Sequence, residues 1–103
     1  MAEHDPFDKE AVEEAQRIAK ERAEADRRQE KEDLIWLMSG KRGRRIVRRL
    51  LDHSGVWRSS FNTNAMQMAF NEGTRNEGLH LTAKIMTHCP VQYAELITEK
   101  QDD

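Results

Sequence analysis

Between Glu32 and Leu34 the chemistry of the chain changes abruptly. From Asp8 to Glu32 nearly every residue is a strong helix former, and opposite charges recur at helical spacing, as in Glu13 with Arg17 and Glu24 with Arg28. The apolar residues of that stretch are Val12, Ile18 and scattered alanines, far short of the seam a coiled coil needs, so a solvated helix is expected. Leu34-Ile35-Trp36-Leu37-Met38 then follows, apolar nearly all round, and is expected to enter a core. The chain reads as a charged helical or partly disordered arm over 1–32, a small helical domain over 33–100 and an acidic tail over 101–103.

A hydrophobic share of 37% against 35% charged residues in 103 residues leaves room for one domain, with part of the chain outside its core. The net charge of −2 hides a strong segregation. Residues 1–32 carry eleven acids and seven bases, 33–60 two acids and seven bases, and 61–103 six acids and three bases. A basic centre flanked by acidic ends bears on partners more than the sum does. The single cysteine, Cys89, excludes an intrachain disulfide. No stretch has the length and apolarity of a membrane span, and residues 1–6 lack the pattern of a signal peptide, so a cytosolic protein with no membrane partner is expected.

Punctuation within the domain predicts an all-α fold of three to four helices. Ser39-Gly40 breaks the chain and offers a cap, a helix follows over 41–53, and Gly55 supplies a left-handed stop. Ile46, Val47, Leu50 and Leu51 are expected on its core face, with Gly43 one turn earlier. The stretch from Val56 to Asn62 reads as an ordered loop pinned by Trp57 and Phe61, too long for the turn of a helix-turn-helix. Thr63 or Asn64 then caps a long helix ending near His88, in which Met66, Ala69, Phe70, Gly73, Glu77, Leu81, Ile85 and His88 follow the 3.6-residue period. Gly73 and Gly78 leave a kink or a close helix crossing as alternatives. Pro90 opens a last helix with a short stripe of Tyr93, Leu96 and Ile97.

The chemically distinctive feature is a basic run of six cations in nine residues: Lys41, Arg42, Arg44, Arg45, Arg48 and Arg49. Arginine forks suit phosphate or carboxylate. Three readings stand side by side: contact with a nucleic-acid backbone, docking on an acidic protein face, and pairing with the chain's own acidic arm. A second candidate is a polar network of Asn62, Asn64, Asn71, Glu72 and Arg75, although capping explains much of it. His4, His53, His80 and His88 never fall at the spacing by which two imidazoles share a metal on one helix, and Cys89 beside His88 lacks an orienting acid. No metal, cofactor or catalytic residue is expected, and the chain reads as no enzyme. Cys89 is expected to be a half-buried structural cysteine, and Met38, Met66, Met68 and Met86 to be core filler.

The ordered set Asp33-Leu34-Ile35-Trp36-Leu37-Met38, Gly40-Lys41-Arg42-Gly43-Arg44-Arg45, Ser60-Phe61-Asn62-Thr63-Asn64-Ala65-Met66, Met68-Ala69-Phe70, Glu72-Gly73 and Cys89-Pro90 before Tyr93 resembles a family of small proteins. These are encoded by short-tailed bacteriophages and related prophages, among virion and assembly genes, with no defined activity. The resemblance spans Asp33 to Ile97 and implies a helical fold and a phage setting, in the virion or the infected host's cytoplasm. The expected function is a non-enzymatic virion-associated or assembly accessory that docks on other phage proteins. The alternative is a nucleic-acid-binding regulatory or packaging-associated protein using the basic helix 41–51. Homo-oligomerisation is a further expectation, because about 70 residues make a small core.

Overall fold

A computed structural model describes residues 8–102; residues 1–7, with His4, and Asp103 of the acidic tail lie outside the described residues. Four helices run in order, α1 (Lys9–Ser39), α2 (Lys41–Ser54), α3 (Ala65–His88) and α4 (Pro90–Asp102), and no strand occurs among the described residues. The fold is all-α with a long N-terminal helix. By its contacts the chain divides into two compact units, Met1–Glu32 and Asp33–Asp103.

In the first unit, helix propensity is supplemented by charge pairs along one helix. Arg17 pairs with Glu14 and, at 2.7 Å, with Glu21, and Lys9 lies 3.9 Å from Glu13. All of these groups are exposed, so water screens each pair and its contribution to stability is small. Val12 and Ile18 are exposed as well.

The second unit packs the last turns of α1 with α2, α3 and α4. Its core is Leu34, Met38, Val47, Leu51, Ile85, Cys89 and Leu96, edged by Leu37, Val56, Trp57, Leu81, Tyr93 and Ile97. One extended residue, Gly40, separates α1 from α2, while the Ser39 hydroxyl donates to the Trp36 carbonyl (2.7 Å) and caps nothing in α2. The turn is tight: a Cβ on Gly43 would sit 1.9 Å from the Leu37 carbonyl oxygen. At the far end of α2, Gly55 adopts φ 85° and its N–H donates to Leu51 and Asp52 carbonyls, ending the helix in the left-handed conformation that glycine adopts without strain. Asn64 caps α3 by accepting from the Gln67 N–H (3.0 Å). Helix α3 is one helix, and of its two interior glycines Gly78 makes a close crossing, since a Cβ there would lie 2.1 Å from Ser54 Oγ and 2.5 Å from Val56 Cγ1.

Several expected core positions lie elsewhere. On α2 the buried positions are Arg44, Val47 and Leu51, whereas Ile46 and Leu50 are 47% and 56% exposed. Residues at i, i+3 and i+7 share a face, and Ile46 and Leu50 sit about 100° around the helix from Val47 and Leu51. On α3 the core takes Gly78 and Ile85, while Met66 and Phe70 point outward, as do Met68 and Met86. Ile35 and Trp36 are exposed, because Leu34 and Met38 already fill the buried side of α1. Only one of the two loop aromatics pins the loop. Trp57 is half-buried beneath Lys100, whose ammonium lies 4.4 Å from the ring centroid and 2.9 Å from Asp52, whereas Phe61 is 74% exposed. Cys89 is fully rather than half buried, and burial pushes its thiol pKa up, holding it protonated.

Candidate docking surface

The six cations of the basic run have different fates because α2 turns them through the full circumference. Arg44 points inward between α1 and α4. Its guanidinium donates to the Met38 carbonyl (2.9 Å) and to the Glu99 carboxylate through Nη2 (2.8 Å) and Nε (3.2 Å), and it lies 3.2 Å from Glu95. The hydrogen bond from Arg44 holds the Glu99 carboxyl below the usual carboxylate range, with the charges of Arg44, Lys41 and Arg48 adding to it. The acids that meet the basic helix in this unit are therefore one turn apart on α4. Arg44 anchors α2 to α4 and to the end of α1; it is not part of an open cationic surface. Arg48 is half-buried.

Lys41, Arg42, Arg45 and Arg49 are exposed. Arg42, Arg45 and Arg49 follow one another at intervals of three to four residues, Lys41 lies one turn before Arg45, and the four share their side of the helix with exposed Ile46 and Leu50, so the outer face of α2 is both cationic and apolar. Leu50 also walls an open groove of about 390 Å³ between α2 and α3, lined further by Leu51, Gly78 and Leu81 and edged by Glu77 and Lys84. The apolar strip of α2 thus continues into a cleft.

The predicted polar set forms a chain of local bonds. Asn62 Oδ1 accepts from the Asn64 N–H (2.8 Å), Asn64 caps Gln67, and the Gln67 side chain donates to Asn71 (2.8 Å). The Ser60 hydroxyl donates to Glu72, which lies 3.6 Å from Arg75, and Arg75 Nε donates to the Arg58 carbonyl (3.2 Å). None of the five side chains is fully buried. This set ties the loop to α3 and does not form a buried network. Between the loop and α3 lies a pocket of about 450 Å³ lined by His53, Arg58, Ser59, Phe70, Thr74 and Arg75.

Sequence reasoning missed Glu95 and Glu99 as partners of Arg44, although acids four residues apart on a short helix beside a basic one were a usable signal. It also missed that Phe61, Met66 and Phe70 face outward, at 74%, 84% and 69% exposure. Among the described residues no cluster of three or more His, Cys, Asp or Glu could hold a metal ion, and no helix is long and apolar enough to cross a membrane.

No curated protein and no solved structure matches the chain. The family model described as Bbp19-like phage protein matches residues 35–98, which holds all of α2 and α3, most of α4 and every residue of the docking surface. With more than half of its length matched, the chain belongs to the family of Bbp19-like phage proteins.

Proposed function

We propose that this phage protein catalyses no reaction and works as a virion-associated or assembly accessory, docking on other phage proteins in the virion or the infected host's cytoplasm. The observation that carries this reading is the mixed outer face of α2. Exposed Lys41, Arg42, Arg45 and Arg49 flank exposed Ile46 and Leu50, next to an apolar groove. A phosphate backbone uses only the cations of such a face, whereas an acidic protein surface with an apolar centre uses both. Charged rims around apolar anchors are the usual build of protein interfaces.

The test compares two double variants in infection. Arg45→Glu with Arg49→Glu removes the cations, and Ile46→Ser with Leu50→Ser removes the apolar strip. Mass spectrometry of purified virions and assembly intermediates is expected to find the wild-type protein in at least one of them and both variants depleted. Absence of the wild-type protein from both defeats the proposal.

The exposed arginines favour a second reading, binding of nucleic acid through helix 41–51. It requires that log affinity for duplex DNA fall linearly with log salt, by a slope of about −0.9 per phosphate neutralised. The arginine variant would then lose binding while the Ile46 and Leu50 variant kept it.

A further inference from the structure

The first half of α3 carries an apolar stripe that the described residues leave uncovered. Met66 and Phe70 are 84% and 69% exposed, and Ala69 between them is exposed too. One turn further on, a Cβ on Gly73 would meet nothing within 4 Å. Gly78 explains itself by its close crossing with Ser54 and Val56, but nothing among the described residues requires a glycine at 73. A helix-interior glycine with open space above it suits close approach from outside.

We propose that this stripe is a self-association site on which a second copy of the chain packs, α3 against α3 and antiparallel across a two-fold axis. The proposal uses a different face from the α2 docking surface and does not rest on it. Along the stripe, large and small residues alternate: Met66, Ala69, Phe70, Gly73. With the axis between Ala69 and Phe70, Met66 of one copy faces Gly73 of the other and Phe70 faces Ala69, so every large side chain meets a small one. A two-fold contact brings the same patch together twice, and this pattern is complementary to itself.

The charges obey the same register. Residues 59–71 contain no charged side chain in a chain that is 35% charged. Reflected about that axis, Glu72 falls opposite Gln67 and Arg75 opposite the cap residue Asn64, so within the helix no charge meets its like. The outer face of α2, by contrast, would repel its own copy. The area is of the right order as well. An aromatic side chain buries roughly 150–250 Å², so Phe70 with Met66 supplies on the order of 300 Å² per copy, and exposed neighbours on the same face such as Ala69 add to it toward the ~1,000 Å² total of a specific interface. A core of seven buried apolar side chains among the described residues, six of them fully buried, is also small enough for a partner copy to add to its stability.

Analytical ultracentrifugation of the full chain over a wide concentration range tests this. The wild type is expected to show a concentration-dependent dimer, with a melting temperature that rises with concentration. Gly73→Met alone sets two methionines against each other and Phe70→Glu buries a charge. Each should weaken the dimer by roughly a hundredfold, because each change is felt twice across the axis. Combining Met66→Gly with Gly73→Met restores one large and one small residue at each crossing and should regain the dimer. Far-ultraviolet circular dichroism confirms that the variants stay helical, as expected for positions exposed in the single chain. A wild type that is monomeric at every concentration, a dimer indifferent to Gly73→Met, or a double exchange that fails to rescue would each overturn the proposal.

Discussion

Replacing Arg44 by methionine separates structural from surface charge in the basic helix. The substitution keeps an aliphatic stem in the buried position and removes the guanidinium. The Met38 carbonyl loses its donor, and an unsatisfied buried acceptor costs about 1–3 kcal/mol. The bonds to Glu99 are also lost, but the Glu99 and Glu95 side chains are 22% and 48% exposed and recover water, which brings the loss to about 1–2 kcal/mol. The better-buried methionine stem offsets part of this, leaving a net destabilisation of about 2–4 kcal/mol. A unit of this size holds only about 4–10 kcal/mol in total, so the effect is large. Arg44→Lys, which keeps the charge but not the planar fork, should fall between. Arg45→Met and Arg49→Met, made on exposed side chains, should stay within about 0.5 kcal/mol of wild type. Urea unfolding followed by circular dichroism reads all four. An Arg44→Met variant as stable as Arg45→Met would refute the placement of Arg44 as an anchor. If the placement holds, charge reversals meant to probe docking must spare Arg44, because its loss would lower partner binding by unfolding the domain.

The two interior glycines of α3 should respond with opposite signs. Gly78→Ala places a methyl 2.1 Å from Ser54 Oγ and should destabilise by about 1–2 kcal/mol after the helix-propensity gain is credited, whereas Gly73→Ala, measured at high dilution, should stabilise by about 0.5–1 kcal/mol. Equal effects in thermal or urea unfolding would contradict the crossing at Gly78. Acid should weaken the α2–α4 anchor. Because Arg44 depresses the Glu99 pKa in the folded state, the stability this pair contributes is fully present above the unfolded glutamate value of about 4.3 and is lost as pH falls through the lower folded value. Over that acidic range the wild type should lose more stability than Glu99→Gln, and matching pH profiles of the two proteins would count against it.

Helix boundaries were legible because they rest on local chemistry. The left-handed φ of Gly55, the Asn64 side chain bonded to Gln67, and Pro90 opening α4 are each decided within a few residues. Ser39 shows the limit of such reading, since its hydroxyl turned back to the Trp36 carbonyl and gave α2 no side-chain cap. The packing of α1, α2 and α3 was less legible, because periodicity sets how apolar residues are spaced around a helix but not which side faces inward. In α2 the usual preference for apolar side chains selects Ile46 and Leu50 for the core. The fold instead spends a buried position on Arg44, because Met38, Glu95 and Glu99 together satisfy its fork.

The same ambiguity bears on the candidate site. A helix apolar on two sides satisfies one face within its own chain and leaves the other to something outside it. In α3 the inner side ends near Gly78, where the crossing with Ser54 and Val56 closes the core, and the apolar residues before it, Met66, Ala69 and Phe70, follow the same period and stay exposed. Period alone cannot tell those two segments apart. The difference lies in the glycines, one crowded and one open, and it becomes visible only when a Cβ is placed on each. On α2 the corresponding distinction is between Arg44, whose charge is consumed within the domain, and Arg45 and Arg49, whose charges are presented outward. An interaction surface on a small helical protein is thus defined by subtraction. The residues a partner can use are those the helical period brings to a face and the core does not take, which here leaves a cationic and apolar strip on α2 and a neutral, size-alternating one on α3.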